Sequence, residues 1–286
     1  MSDARRRLRG IIADLMGVPG DQKIFWTPSL PIAYMDNPKS GCRTIKHSLK
    51  QAQAAEYIRA GIAFKRNEAP HIGDECLKTR GRCRPARSHR FLISCVRNPF
   101  TRALSGYLDK VAPKDSNNWP ELRNRHIENF EQHLRALADF RLRRLNCHFR
   151  PQHINLDFPN IEYDAIFYLE NLSALSRFFA GISPDFILET FAPHSRSASS
   201  KLRDHYTDRA VKLVQEIYAQ DFSLFGYSSD LDDARVSPGE CIIGDRMVSA
   251  GEEVLEMASR RPARVAPCRA FEATMRYQQL IEMRVL

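Results

Sequence analysis

The run FLISCV, residues 91–96, constrains the fold of this 286-residue chain more than any other stretch. Its almost wholly apolar side chains are typical of a β-strand that is buried on both faces, as in a parallel sheet covered by helices. The sequence RNPFTRALSGYLDKV follows at once, and Pro99 stands where a helix would begin, because proline is favoured in the first helical turn. We therefore predict a buried strand that runs directly into a helix.

Two further segments, PIAYM (31–35) and YDAIFYLENL (163–172), are strand-like, and a segment with helical spacing of apolar residues follows each of them. Strands that alternate with helices indicate a parallel sheet of the doubly wound type. The predicted fold class is therefore α/β, with a central parallel sheet flanked by helices. The predicted helices cover residues 44–60, the segment from Pro99, residues 121–147, the segment from Leu172, and residues 206–227 with Thr207 as N-cap.

The sequence patterns divide the chain into three parts. We predict an N-terminal extension at 1–30, a folded domain at 31–230 and a C-terminal extension at 231–286, where no strong motif occurs. No apolar run approaches the roughly 20 residues of a membrane span, and the basic N-terminus favours an amphipathic helix over a signal peptide. Seven cysteines at scattered spacing favour reduced thiols. We therefore expect a cytoplasmic protein, and we leave peripheral membrane contact and homodimer formation open.

The charge of the chain indicates an anionic partner. The net charge is +9, from 43 lysines and arginines against 34 acidic residues. Arginines are concentrated in TRGRCRPARSHR (79–90) and RLRRLNCHFR (141–150). Charge alone leaves nucleotides, polyanionic glycans, nucleic acids and membrane surfaces open as partners.

The loop after the first predicted strand, NPKSGCRTIK, has the composition of an anion-binding loop. It leads into a helix, whose N-terminus offers unsatisfied N–H groups and partial positive charge. Gly41 allows a close approach of the backbone, and Lys39 and Lys46 add full charges. Arg43 and Thr44 add hydrogen-bond donors. The standard nucleotide P-loop pattern G-x-x-x-x-G-K-[ST] is absent, and we predict that the loop binds a phosphate or sulfate group.

A second candidate anion site follows the strand at 91–96. Arg97 stands at the end of the strand, and Arg102 and Ser105 would lie one turn apart on the helix that Pro99 begins. An arginine fork with a hydroxyl is a good clamp for a phosphate monoester. Because the carboxyl ends of parallel strands meet at one edge of a sheet, both loops should lie together there. Two anion clamps at one edge indicate a ligand with two anionic ends.

These segments resemble the cosubstrate-binding motifs of family 2 sulfotransferases, specifically the carbohydrate-sulfotransferase type and its bacterial relatives. NPKSGCRTIK is similar to the motif P-K-x-G/A-C/S-T-x-x-K, with Arg43 where threonine is usual. FLISCVRNPFTRALSGYLDK is similar to the motif R-x-P-F-x-R-x-x-S-x-Y, and this match is nearly complete. HFRPQ (148–152), YDAIFYLENL and PHSRSASS…HYT…IYAQDFSLFGY resemble later family segments, so that the resemblance covers roughly residues 31–230.

The resemblance implies a fold, a cosubstrate and a reaction. The fold would be the P-loop-like fold of sulfotransferases that use 3′-phosphoadenosine 5′-phosphosulfate (PAPS). The reaction would transfer the sulfuryl group of PAPS to a hydroxyl or amine of a carbohydrate or glycolipid acceptor, which could be anionic or neutral. The resemblance implies no metal, and we expect no nucleic acid as a partner.

The resemblance also implies roles for single residues. Lys39 would neutralise the bridging and leaving oxygens, and Arg97 and Ser105 would hold the 3′-phosphate. The general base would be a histidine or a carboxylate, and the two candidates are His71, in the loop after the first helix, and His148. The residues that would cradle the 5′-phosphosulfate are Lys39, Ser40, Gly41, Cys42, Arg43 and Thr44.

Two other function classes remain open. A kinase-like, nucleotide-binding enzyme with a degenerate P-loop is disfavoured because the usual lysine–serine pair and metal carboxylates are missing. A non-enzymatic basic protein that binds polyanions would lose its ligand steeply as salt increases. A zinc site from Cys76 and Cys83, between His71 and His89, is disfavoured because no C-x-x-C pair is present.

Overall fold

The structure is a computed structural model, and it describes residues 22–26, 32–59, 73–76, 91–112, 119, 122, 125–158, 160–182, 188, 198–243 and 246–248. The candidate base His71, the arginine cluster at 79–90 and most of both predicted extensions lie outside these residues.

Seven strands of the described chain form one mixed sheet. They are β1 (Lys23–Trp26), β2 (Ile32–Met35), β3 (Gly73–Cys76), β4 (Phe91–Val96), β5 (Ala165–Tyr168), β6 (Cys241–Ile243) and β7 (Arg246–Val248). Their order across the sheet is β3-β1-β2-β4-β5-β6-β7. The central strands β2, β4 and β5 are parallel, whereas every pairing outward from them is antiparallel. The predicted α/β class and parallel sheet centre are confirmed, and the antiparallel edges were not predicted.

Eight α-helices of the described chain accompany the sheet. They are α1 (Cys42–Arg59), α2 (Pro99–Lys110), α3 (Phe130–Ala138), α4 (Gln152–Leu156), α5 (Leu172–Ile182), α6 (Leu202–His205), α7 (Asp208–Ile217) and α8 (Ala219–Leu224). Side chains of α1 and α5 pack in one hydrophobic core, and those of α2, α3, α7 and α8 pack in the other. The sheet is therefore covered on both faces, as the doubly wound prediction required.

The alternation of side chains along β4 explains why its sequence is apolar throughout. Ile93 and Cys95 belong to the core that includes α1 and α5, whereas Leu92 and Val96 belong to the opposite core. None of these four side chains is more than 3% exposed. Because successive side chains of a strand point to opposite faces, a strand covered by two layers needs apolar residues at odd and even positions alike.

The prediction of a helix over residues 121–147 is wrong over most of its length. α3 has only nine residues, and it begins after Asn129, whose side chain accepts a hydrogen bond from the Gln132 N–H. A short 3-10 turn at 142–144 follows, and an irregular segment leads from there to α4. The carbonyl oxygens of Leu145 and Cys147 accept hydrogen bonds from side chains, so polar contacts replace the helical bonds that periodicity alone predicts.

The predicted helix at 206–227 is divided in two. Thr207 is its N-cap, as predicted, because the hydroxyl accepts a hydrogen bond from the Ala210 N–H at 3.1 Å. The break lies at Tyr218, between α7 and α8, where the phenol donates to the carbonyl oxygen of Phe149 at 2.7 Å. Gly226 ends the unit with a positive φ of 68°.

The sheet extends beyond the predicted domain limits of 31 and 230. β1 lies in the segment predicted as an N-terminal extension, and β6 and β7 lie in the predicted C-terminal one. β1 has one buried side chain of four and β6 has two of three, whereas β2 and β5 are buried throughout, so these edge strands carry less of the apolar pattern that marks the central strands. No helix in the described part of the chain combines the length and the apolar character needed to cross a membrane.

Candidate active site

The loop between β2 and α1, residues 36–41, has an unusual backbone. Lys39 and Gly41 both adopt a positive φ, 72° and 76° respectively. A Cβ on Gly41 would lie 2.8 Å from Cδ1 of Leu169, so that a larger residue would displace this side chain, and the positive φ itself favours glycine. α1 then begins at Cys42, and its first N–H groups have no acceptor within the helix. The carboxyl end of a central strand therefore meets the positive end of a helix, which suits an anion.

Buried polar side chains support this loop from inside the protein. Nδ2 of Asn37 donates to the carbonyl oxygen of Cys95 at 2.9 Å and to Oε1 of Gln152 at 3.0 Å. The hydroxyl of Ser40 donates to the same Gln152 oxygen at 2.9 Å, and Ser40 has no exposed surface. The Ser40 side chain, which we predicted to bind cosubstrate, therefore serves the interior of the loop.

Gln152 also connects this loop to the second one. Its Oε1 accepts a hydrogen bond from the N–H of Arg97 at 2.9 Å, and its Nε2 donates to the carbonyl oxygen of Arg97 at 2.7 Å. The backbone N–H of Gln152 donates to Oδ2 of Asp221 at 2.7 Å, and this carboxylate is fully buried. One amide side chain therefore fixes the two segments relative to each other.

Arg102 is a structural residue in these loops. It is 1% exposed, and its guanidinium donates to the carbonyl oxygens of Pro38 (3.1 Å), Arg150 (2.9 Å) and Cys147 (3.1 Å). The prediction that Arg102 and Ser105 form an anion clamp is wrong for Arg102, because its position on α2 directs the side chain into the protein. Arg102 instead joins α2 to the first loop and to the segment before α4.

Arg97, Thr101 and Ser105 follow one another at four-residue intervals along the start of α2, so they lie on one side of it. Nε of Arg97 donates to Oγ1 of Thr101 at 2.9 Å, and Nη1 donates to the carbonyl oxygen of Lys39 at 3.3 Å. Burial lowers the pKa of Arg97, and the negative charge of Glu170 offsets part of this effect. The structure therefore places Arg97 against the first loop, with Ser105 further along the same side of the helix.

Glu170 fixes the start of α2 from the neighbouring strand end. Its Oε1 accepts a hydrogen bond from the N–H of Asn98 at 2.9 Å, and its Oε2 accepts one from the phenol of Tyr227 at 2.9 Å. Burial raises the pKa of Glu170, and these hydrogen bonds act in the opposite direction. The Asn98 side chain in turn accepts from the Phe100 N–H, so the predicted helix start at Pro99 is confirmed.

The ammonium group of Lys39 lies next to a carboxylate further along α2. Its Nζ is 3.2 Å from Oδ2 of Asp109, and the Nζ of Lys110 is also 3.2 Å from that oxygen. Burial by itself raises the pKa of Asp109, but the two lysines outweigh it and lower the pKa to about 2. Burial lowers the pKa of Lys39, and Asp109 offsets part of that shift. A partly buried cation thus stands at the loop, and its catalytic role stays a prediction.

His148 lies close to the same cations. Its Nδ1 is 2.6 Å from Oδ1 of Asn146, and because an amide oxygen only accepts, Nδ1 carries the proton and Nε2 is the basic nitrogen. Burial lowers the pKa of His148 to about 4, with further contributions from the charges of Lys110, Lys39 and Arg102. The imidazole is therefore neutral near pH 7.

The other predicted ligands lie in the first turns of α1. Arg43 is exposed, Thr44 is buried and Cys42 is partly buried. Burial raises the pKa of the Cys42 thiol, which is therefore protonated at neutral pH. Lys46 turns back toward the loop, as we expected for a helix that begins at Cys42, and its Nζ lies 3.3 Å from Oδ1 of Asp36.

Several polar residues of this site escaped the sequence analysis. Asp109 follows Ser105 by four residues, so helical spacing could have identified it. Gln152 and Glu170 lie in segments whose family resemblance was noted, but they received no role. Asn37 and Asp221 gave no local signal. In the part of the chain that the structure describes, no three His, Cys, Asp or Glu side chains are grouped as a metal site requires.

Comparison with known proteins matches the chain to one protein family. The model of the sulfotransferase family matches residues 22–228, which is well over half of the chain. Comparisons with curated proteins and with solved structures gave no match. The matched range starts at the first described residue and ends after the buried segment that includes Asp221.

Proposed function

This chain belongs to the sulfotransferase family, and we propose that it transfers the sulfuryl group of PAPS to a hydroxyl or amine of a carbohydrate or glycolipid acceptor. The observation that carries the proposal is the pair of anion-binding segments joined by Gln152. One segment is residues 36–44, which comprise the first loop and the first residues of α1. The other is Arg97, just before α2, together with the side of α2 that carries Ser105. PAPS has a phosphosulfate at one end and a phosphate at the other, so it matches two segments at a fixed separation.

The donors at the two segments fit these anionic groups. The first segment combines the ammonium of Lys39, the exposed guanidinium of Arg43 and the N–H groups at the start of α1. The second combines the planar guanidinium of Arg97 with the Ser105 hydroxyl, and such a guanidinium can bind two phosphate oxygens at once. We assign the 5′-phosphosulfate to the first segment and the 3′-phosphate to the second.

In the proposed reaction the acceptor oxygen or nitrogen attacks sulfur in line, the sulfur bond to the bridging phosphate oxygen breaks, and the acceptor proton passes to a base. Lys39 would place its ammonium at the leaving oxygen, where negative charge accumulates. To do so it exchanges the carboxylate of Asp109 for the ligand. Lys110 remains beside Asp109 and continues to neutralise it.

His148 is the base that the described structure supports. Its Nε2 is the nitrogen that can accept a proton, because Nδ1 is committed to Asn146. Because protonated His148 has a pKa of about 4, proton transfer from the acceptor to this ring has little driving force. An anionic ligand beside Lys39 and Lys110 would weaken their repulsion of a protonated ring and so raise this pKa. His71, outside the described residues, remains the second candidate.

The proposal includes a cytoplasmic location, and the reduced state of the described cysteines supports it. Among the described residues, Cys42, Cys95, Cys147 and Cys241 form no disulfide bond. Free thiols are usual in the reducing cytoplasm, whereas secreted proteins usually pair them.

Calorimetric titration with adenosine 3′,5′-bisphosphate tests the ligand assignment. We expect binding, and we expect Arg97→Ala to weaken it at least about tenfold, since a hydrogen bond to a charged group contributes about 1.5–3 kcal/mol. Arg209→Ala, which removes an exposed arginine on α7, should leave the affinity unchanged. Far-UV circular dichroism confirms that both variants fold.

Three results would contradict the proposal. Unchanged affinity of Arg97→Ala would remove the 3′-phosphate assignment. Stronger binding of ATP with magnesium would favour the kinase-like alternative. Retention on polyanions with steep salt dependence, but without any response to the bisphosphate, would favour the non-enzymatic alternative.

A transfer assay can identify the acceptor. The protein is incubated with labelled PAPS and a cell-envelope extract, and the labelled product is then identified.

A further inference from the structure

An open cleft of about 920 Å³ lies between the 3-10 turn at 142–144, α4 and the α7–α8 pair. Its volume falls within the range of small-molecule sites, about 300–1,000 Å³. The proposed PAPS segments do not line it. His153 lines the cleft, whereas the side chain of the preceding residue, Gln152, contacts the two anion-binding segments. The cleft therefore lies on the other side of α4 from the candidate active site.

The charge along this cleft is strongly one-sided. Arg141, Arg143 and Arg144 all contribute to one wall, and all three are exposed. Among the lining residues that the structure describes, Glu216 is the single carboxylate, so the ionised side chains named here leave an excess of two positive charges. This wall is the part of the basic segment 141–150 that the PAPS site does not use.

Another part of the lining is apolar. Ile154 and Phe158 contribute from α4 and its end, and Leu224 contributes from α8. Leu224 is 37% exposed, which makes it one of the few large apolar side chains at the surface of the described chain. This exposed apolar side chain belongs to the same lining as the row of arginines.

We propose that this cleft binds an acidic lipid at a membrane surface, with the headgroup phosphate against the arginines and the start of the acyl chains against the apolar lining. An arginine-rich wall selects phosphate or another anion. A glycan would need polar partners for its many hydroxyls, and the lining offers few neutral polar side chains, mainly Gln220 and Ser223. A free phosphate ion would not use the apolar half. The inference is independent of the proposed sulfuryl transfer.

Flotation with vesicles tests the membrane source of the ligand. We expect the full chain to bind vesicles of phosphatidylcholine with phosphatidylglycerol, and to bind pure phosphatidylcholine weakly. The double variant Arg141→Ala, Arg144→Ala should bind the acidic vesicles about 25-fold more weakly, because each arginine near an acidic surface contributes about fivefold. The matched control Arg203→Ala, Arg209→Ala removes the same charge from exposed sites outside the cleft, and we expect only a small effect.

A second pair of variants tests the apolar half without a change of charge. Leu224→Ser should weaken binding to acidic vesicles at least about threefold, since it removes apolar surface from the contact. Val236→Ser is the control, because Val236 is 59% exposed and does not line the cleft. Decyl phosphate below its micelle concentration should raise the melting temperature, whereas the same concentration of inorganic phosphate should not.

Each contrary result would overturn the inference. Equal losses for the cleft pair and the control pair of arginines would show that only the net charge attracts the protein to vesicles. An unchanged Leu224→Ser variant would remove the apolar contact. Equal stabilisation by inorganic phosphate would identify a site for a free anion. Stabilisation by decyl phosphate without any retention on acidic vesicles would contradict the membrane source.

Discussion

Replacing Gln152 with alanine tests whether one amide side chain holds together the two segments that we propose bind the anionic ends of the ligand. The side chain makes four hydrogen bonds: with Asn37, with Ser40, and with both the N–H and the carbonyl oxygen of Arg97. Gln152 has no exposed surface, so water cannot replace these partners without a rearrangement. At about 1 kcal/mol for each net hydrogen bond, the loss in free energy of unfolding is about 4 kcal/mol. That is a large share of the 5–15 kcal/mol typical of a domain.

Urea unfolding followed by circular dichroism measures this loss, and calorimetric titration with adenosine 3′,5′-bisphosphate measures the consequence for the site. We expect both stability and affinity to fall, because the two anionic ends of a ligand need a fixed separation between their segments. Gln215→Ala is the matched control. Its Nε2 donates one hydrogen bond, to the carbonyl oxygen of Ser229 at 2.8 Å, at an exposed site. We expect a change below about 0.5 kcal/mol there.

A glutamate at position 152 separates the hydrogen bonds from the loss of volume. Gln152→Glu keeps an acceptor for Ser40 and for the Arg97 N–H, but an ionised carboxylate cannot donate to the Arg97 carbonyl oxygen. Burial raises the pKa of such a carboxyl, so its stability deficit should shrink as the pH falls and the donor is restored. A Gln152→Ala variant that loses less than about 1 kcal/mol and binds the bisphosphate normally would refute the role assigned to this residue.

Three further predictions concern the loop and its charges. Gly41→Ala should lower the free energy of unfolding in urea by about 1–3 kcal/mol and weaken bisphosphate binding. Alanine is strained at φ 76°, and its Cβ would contact Leu169. A variant as stable as the wild type would contradict the loop geometry. The pKa of Asp109 is lowered from 3.8 to about 2, so the stability that its carboxylate contributes is complete above pH 4 and is lost as the pH falls toward 2. The difference in free energy of unfolding between wild type and Asp109→Asn should therefore shrink over that window. A constant difference would argue against the ion pair with Lys39. In NMR titration the His148 ring should stay neutral down to a pH of about 4, and saturation with adenosine 3′,5′-bisphosphate should raise its pKa. A pKa near 6.5 in the free protein would contradict the buried, positively charged surroundings described for this ring.

The centre of the fold could be predicted from sequence because its strands carry a strong signal. β4 lies between two helical layers, and that burial forces six consecutive residues to be apolar or small. The edge strands β1, β6 and β7 could not be predicted, since short strands at the margin bury fewer side chains and have no distinctive period. Residues 121–147 were misread because periodicity reports side-chain burial and carries no information on which groups the backbone carbonyls bind.

In the site, as in the fold, local sequence patterns predict some features but not others. The strand–loop–helix junctions at Gly41 and Pro99 follow from local rules, because a positive φ and a first helical turn favour these residue types. The contacts of Asn37, Gln152 and Asp221 follow from no local rule. They join positions more than 50 residues apart, and a buried amide or carboxylate looks like a surface residue until its partners are known.

Two arginines five residues apart, Arg97 just before α2 and Arg102 within it, have different surroundings although their residue type is the same. Arg97 lies on the same side of the helix as Thr101, against the first loop, whereas Arg102 is turned into the protein. Burial of a guanidinium is costly unless its donors are satisfied, and three carbonyl oxygens satisfy Arg102. Because those carbonyls belong to the first loop and to the segment before α4, the buried arginine and Gln152 together fix the positions from which Arg97 and Lys39 can meet a ligand. Under the proposed assignment, the spacing R-x-P-F-x-R therefore combines one arginine for the ligand, Arg97, with one that holds the backbone in place, Arg102.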